Sequence, residues 1–154
     1  MDSDHYPVLT WPSFRSETMP SDRTLRWSAL GFAVFFALVV ALGYIPRFNA
    51  GMSHVEMSQM GEHSMLGLYM IGAADDVTHG LTALVLLGAA LASARAARLS
   101  LTAFGWYYAT DAAIYLITGF IQHRAVGSNI LLNLPHVLIS ATMLTLAYRG
   151  RGMP

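Results

Sequence analysis

Four long apolar runs separated by short polar stretches dominate the chain. A helix that crosses the hydrocarbon of a bilayer needs roughly 20 apolar residues, and each run is of that order. The first, Trp27 to Ile45, carries no charge and stops at Pro46-Arg47. The second, Leu66 to Ala92, is long enough to tilt or to begin among the headgroups. The third runs from Leu101 to Ile121. The fourth, Ile130 to Tyr148, ends against Arg149 and Arg151, positive charges that suit both a helix C-terminus and a membrane surface. The pattern predicts an all-α fold, a four-helix transmembrane bundle over 27–154 behind a polar arm over 1–26.

Composition agrees. The chain is 55% hydrophobic and only 12% charged, about half the charged fraction of an ordinary soluble domain. Formal net charge is +0, and every basic residue is arginine, so there is no excess positive field and nucleic acid is not an expected partner. Without cysteine, no disulfide, thiolate metal site or cysteine nucleophile can form. The arm has Pro7, Pro12 and Pro20 but no apolar core, so it does not read as a signal peptide. Its Trp11 and Phe14 are suited to a headgroup layer or a protein partner.

Arginine placement gives the expected orientation. Arg15, Arg23 and Arg26 precede span one, Arg95 and Arg98 separate spans two and three, and Arg149 and Arg151 follow span four. The opposite loops hold only Arg47 and Arg124. By the positive-inside rule both termini are cytoplasmic, and the loops 46–65 and 122–129 face outward.

The two halves share a pattern. Leu30-Gly31-Phe32 corresponds to Phe104-Gly105-Trp106, Leu42-Gly43-Tyr44 to Thr118-Gly119-Phe120, and Asp76-Val77-Thr78-His79 to Asn133-Leu134-Pro135-His136. This predicts two similar helical hairpins in parallel repeat, unlike the inverted repeats of many transporters. Small residues in spans two and three permit close helix approach.

Ionisable groups within membrane spans are costly and mark the first place to look for function. Asp75 and Asp76 lie one turn before His79, on one helix face. In span three Asp111 is flanked by Tyr107, Tyr108 and Tyr115, any of which is spaced to donate to its carboxylate. Asn133 precedes His136 by one turn. These nine residues are expected to form a polar cluster that fixes helix register. Within it His79 and His136 are the candidate ligands of a cofactor such as a haem b, and Asp75, Asp76 and Asp111 the candidate carboxylates of a metal ion. A proton relay through Asp111 and the histidines is a further expectation.

The first outward loop offers a second set. Met52, His54, Met57, Met60 and His63 combine thioethers and imidazoles of the kind that bind copper. The same spacing suits an interfacial amphipathic helix, in which methionine fills apolar gaps. No catalytic residues are expected. Adjacent helix residues such as Thr78 and His79 do not face one another, and the glycines are too isolated for a phosphate loop.

The stretches Asp75-Asp76-Val77-Thr78-His79-Gly80-Leu81, Ala94-Arg95-Ala96-Ala97-Arg98, Phe104-Gly105-Trp106-Tyr107-Tyr108 and Asn133-Leu134-Pro135-His136-Val137-Leu138 carry a resemblance. From Leu66 onward the chain resembles a family of small four-helix integral membrane proteins of bacteria whose function is unknown. The resemblance implies the fold and the paired histidines, and it implies no reaction; the expected location is a bacterial inner membrane. The expected function is therefore that of a non-catalytic membrane protein, an accessory subunit in contact with the bilayer and with other membrane subunits. A haem- or metal-binding redox protein and a small proton-linked channel or carrier are the alternatives.

Overall fold

The computed structural model of the chain describes residues 21–45, 62–65 and 69–149. Its elements are helix α1 (Asp22–Gly43), strands β1 (Glu62–Met65) and β2 (Tyr69–Gly72), and helices α2 (Ala73–Ala92), α3 (Ala94–Ile121) and α4 (Val126–Tyr148). The fold is an all-α bundle with one short antiparallel hairpin at its edge, in which Glu62 pairs with Gly72 and Met65 with Tyr69.

Every helix begins at a different residue from the one the apolar runs predict. Helix α1 starts at Asp22, inside the expected polar arm, because the Ser21 hydroxyl accepts the Thr24 N–H at 3.1 Å and Asp22 complements the positive helix end. Helix α2 starts at Ala73 rather than Leu66, since Tyr69–Gly72 are taken up by strand pairing. There Asp75 reaches back to accept the Gly72 N–H at 3.0 Å. Helix α3 starts at Ala94 rather than Leu101, so Arg95 and Arg98 are helical. The alanine- and arginine-rich stretch is a good helix former, and the extended Ser93 both ends α2 and caps α3, its hydroxyl accepting the Ala96 N–H at 3.1 Å. Helix α4 takes in Gly127, Ser128 and Asn129 ahead of the expected start at Ile130. Pro135 lies inside it and withholds the N–H that would bond the Leu131 carbonyl.

The helices run up and down. Arg26 near the start of α1 reaches the Ala90 and Leu91 carbonyls at the end of α2, and Tyr44 past the end of α1 donates to Asp76 at the start of α2. Trp106 donates to the Tyr148 hydroxyl at 3.1 Å and Asn129 to the Leu116 carbonyl at 2.9 Å, which sets α3 antiparallel to α4. Helix α1 packs chiefly on α2 and α3 on α4; α3 also touches α1 and α2, whereas α1 and α4 barely meet. Two hairpins are thus joined through α3. Their buried seam is built from Leu25, Ala29, Ala33 and Phe36 of α1, Ala83, Leu86 and Ala90 of α2, Ala97, Leu101 and Tyr108 of α3, and Met143 and Ala147 of α4. The alanines let the backbones approach where a larger residue would hold them apart.

Helices α1, α2 and α4 are long and apolar enough to cross a membrane. Only 22%, 33% and 22% of their most apolar windows are buried, and side chains such as Leu38, Leu84, Leu91 and Leu131 are exposed. In a bilayer that surface meets acyl chains. Helix α3, at 28 residues the longest, is not among the three. Its apolar character is diluted by Thr102, Tyr107, Tyr108, Thr110, Asp111, Tyr115 and Thr118.

The glycine correspondences behave unequally. Gly43 and Gly119 are both buried, but Gly31 is exposed whereas Gly105 is buried against Met143 and Leu144.

Candidate functional site

One ring from each helix meets at the middle of the bundle. Phe36 of α1 lies 5.1 Å from Tyr108 of α3, with ring planes 11° apart. His79 of α2 lies 5.5 Å from Phe36 and 6.3 Å from Tyr108, and His136 of α4 lies 5.6 Å from Tyr108. All four planes are close to parallel, with Tyr108 touching the other three. At these separations aromatic faces are in favourable contact. The cluster ties four helices through one buried phenol ring.

The polar edges of these rings are held separately. The Tyr108 hydroxyl lies 3.1 Å from Thr82 Oγ1, and Thr82 donates to the Thr78 carbonyl at 2.8 Å. Since a hydroxyl has one proton, the phenol is the donor to Thr82. His136 Nδ1 lies 3.2 Å from Asp111 Oδ2, an imidazole–carboxylate pair with each side chain about a quarter exposed (28% and 26%). His79 Nδ1 is buried and has no hydrogen-bond partner among the described residues. Asp75, Asp76, Asp111 and His136 all lie within electrostatic reach of His79.

The expected polar cluster is therefore assembled only in part. Asp75 caps α2 through Gly72, and Asp76 accepts the Tyr44 hydroxyl at 3.0 Å. Asn133 turns along its own helix, donating to the Asn129 carbonyl at 2.7 Å. Tyr107 and Tyr115 are half exposed on the outside of the bundle. Of the three phenols spaced to reach Asp111, none bonds it among the described residues; His136 does. Helix spacing alone cannot choose among partners that only tertiary packing presents.

Among the described residues no three His, Asp or Glu side chains converge as metal ligands. Asp75, Asp76 and Asp111 are accordingly not brought together as a carboxylate site, and two of them are engaged in the cap and the Tyr44 bond. The two histidines share Tyr108 as a neighbour, so a haem could lie between them only with that ring displaced. Met52, His54, Met57 and Met60 lie outside the described residues, as does the side chain of His63, whose backbone belongs to β1.

Of the expected proton relay through Asp111 and the histidines, the Asp111–His136 contact is present, and among the described residues no hydrogen bond extends it to His79 Nδ1. Imidazoles and phenol touch through ring faces, which carry no exchangeable proton, while the Tyr108 hydroxyl is committed to Thr82. Among the described residues, no hydrogen-bonded chain links His79, Tyr108 and His136.

Three participants escaped the sequence reading. Phe36 is one apolar residue among many, and Thr82 follows Thr78 by one turn without any charge to mark it. Asn129 did carry a signal, since it stands four residues before Asn133 as a polar i, i+4 pair beside an apolar run. It is fully buried at the α3–α4 corner, donating to Leu116.

Tyr107, Asp111 and Tyr115 recur every four residues, so they lie on one face of α3. Tyr107 is 48% exposed and Tyr115 52%, and Thr118 continues the stripe as an exposed residue one turn on. At 1.5 Å per residue, Asp111 stands about 15 Å inside the end of α3 at Ile121. A polar stripe thus opens sideways from the bundle, well inside the ends of α3, with the Asp111–His136 pair at its centre. No family model, curated protein or solved structure matches the chain.

Proposed function

We propose that this is a non-catalytic integral membrane protein that serves as an accessory subunit of a larger membrane assembly, docked through the polar stripe of α3. The stripe is the observation that carries the reading. Lipid tails offer no hydrogen bonds, so the exposed phenols of Tyr107 and Tyr115 facing them are left unsatisfied at a cost of several kcal/mol, and the Asp111–His136 pair keeps only its mutual bond. A neighbouring protein helix with its own donors and acceptors removes that cost. The ring cluster behind the stripe serves this role by holding Asp111 and His136 in fixed positions relative to all four helices. Arginine placement supports cytoplasmic termini, the proposed location is a bacterial inner membrane, and the resemblance supports two hairpins of common design. Position-resolved photo-crosslinking from α3 in native membranes tests the reading.

A second reading keeps His79 and His136 as ligands of a haem or metal ion, and the bare Nδ1 of His79 favours it. A visible spectrum and metal analysis of the purified chain test it. A Soret band or stoichiometric metal, lost in His79→Ala, is the result this reading requires; a colourless, metal-free protein contradicts it. A proton-linked carrier draws less support, since among the described residues no hydrogen bond continues the Asp111–His136 pair to His79.

A further inference from the structure

We propose that the arginine-rich end of the bundle binds one anionic phospholipid in the cleft between the start of α1 and the end of α2. Arg23, Arg26, Arg95, Arg98 and Arg149 gather at this end, where Asp22 is the sole acid among the described residues. An open cavity of about 440 Å³ lies there, lined by Arg23, Arg26, Trp27, Leu30, Ala90 and Leu91 and by the acid Asp22, which the two arginines outnumber. Its polar and apolar parts are arranged as a lipid is, charge at the surface and hydrocarbon below.

The two arginines differ in a useful way. Arg26 is fixed, its Nε donating to the Ala90 carbonyl at 2.7 Å and its Nη2 to the Leu91 carbonyl at 3.3 Å. It thereby satisfies carbonyls left open at the end of α2 and holds a positive charge against the cleft without reorganisation. Arg23 is exposed and makes no hydrogen bond or ion pair among the described residues, which leaves its planar fork for a phosphodiester. Trp27, 60% exposed, stands one residue further along at the depth where indoles favour the interface. Leu91, 68% exposed, continues the wall toward the acyl region. Beside this cleft Arg95 and Arg98 line a second cavity of about 280 Å³ with Asp22 and Leu25, and they add to the positive field. A free phosphate would use the arginines but gain nothing from Leu30 and Leu91, which is why the occupant is a lipid. The site depends only on the bundle lying in a bilayer, independently of any partner subunit.

Native mass spectrometry of the full chain, released from micelles containing equal phosphatidylglycerol and phosphatidylcholine, reads the result. Phosphatidylglycerol is expected to be retained preferentially, and Arg23→Gln is expected to lower that retention about fivefold. Arg124→Gln, at the other end of the bundle, is expected to leave it unchanged. Equal retention of the two lipids, an unaltered signal in Arg23→Gln, an equal loss in Arg124→Gln, or displacement of the lipid by inorganic phosphate would each overturn the proposal.

Discussion

Tyr108→Ala is expected to destabilise the bundle by about 3–5 kcal/mol, the range seen when a buried aromatic ring is deleted from a core. Tyr108 is 1% exposed and meets Phe36, His79 and His136, so one truncation removes ring contacts to three other helices together. The cavity left behind would be lined by two imidazoles, whose polar edges then lack a fixed wall. Tyr108→Phe separates packing from hydrogen bonding. It keeps the ring and gives up only the bond to Thr82, which retains its own bond to the Thr78 carbonyl, so a loss of about 1 kcal/mol is expected. Reversible unfolding in mixed micelles measures both. A Tyr108→Ala loss no larger than that of Tyr108→Phe would mean that the ring cluster does not hold the helices.

Gly119→Ala is expected to cost about 3 kcal/mol, the sum of overpacking and of a buried amide torn from its acceptor. A methyl group on Gly119 would run into the Asn129 side-chain amide, which is fully buried and donates to the Leu116 carbonyl at 2.9 Å. Asn129 cannot swing away freely, because Asn133 Nδ2 also donates to its side-chain Oδ1 at 3.4 Å from the next turn. Gly31→Ala is the matched control. Nothing lies within 4 Å of a Cβ built there, so its effect is expected to be neutral or stabilising by up to about 1 kcal/mol from helix propensity. Equal effects at the two glycines in the same unfolding assay would contradict the close α3–α4 approach.

Hydropathy made the spans legible because burial in lipid demands long uninterrupted apolar runs, and such runs are visible without any knowledge of packing. The helix ends were harder. Ser21 and Ser93 start helices where hydropathy is still low, and Arg95 and Arg98 read as a loop although they lie on well-formed α3. Strand pairing took Tyr69–Gly72 from the expected second span because the preceding segment supplied a partner, which no local pattern announces. In the polar centre, the residues were legible and their partners were not. Asp111 was found beside three tyrosines, but helix α4 supplies the group it meets. His79 and His136 were found as a pair, while the two rings that unite them, Phe36 and Tyr108, stood respectively as an ordinary apolar residue and as one phenol among several. Intrahelical spacing is fixed by the sequence. Interhelical contact depends on rotation about each helix axis, which only the packed seam decides.

Docking through α3 is tested most directly by a photo-crosslinking residue placed at Tyr115, and separately at Leu84, in cells carrying the full chain. Leu84 is 67% exposed on α2, outside the stripe, and its apolar side chain suits lipid. The expected result is a discrete protein adduct from position 115, abolished by Tyr107→Leu in the same chain, with lipid adducts alone from position 84. Lipid adducts alone from both positions, or protein adducts of equal yield from both, would contradict docking through the stripe.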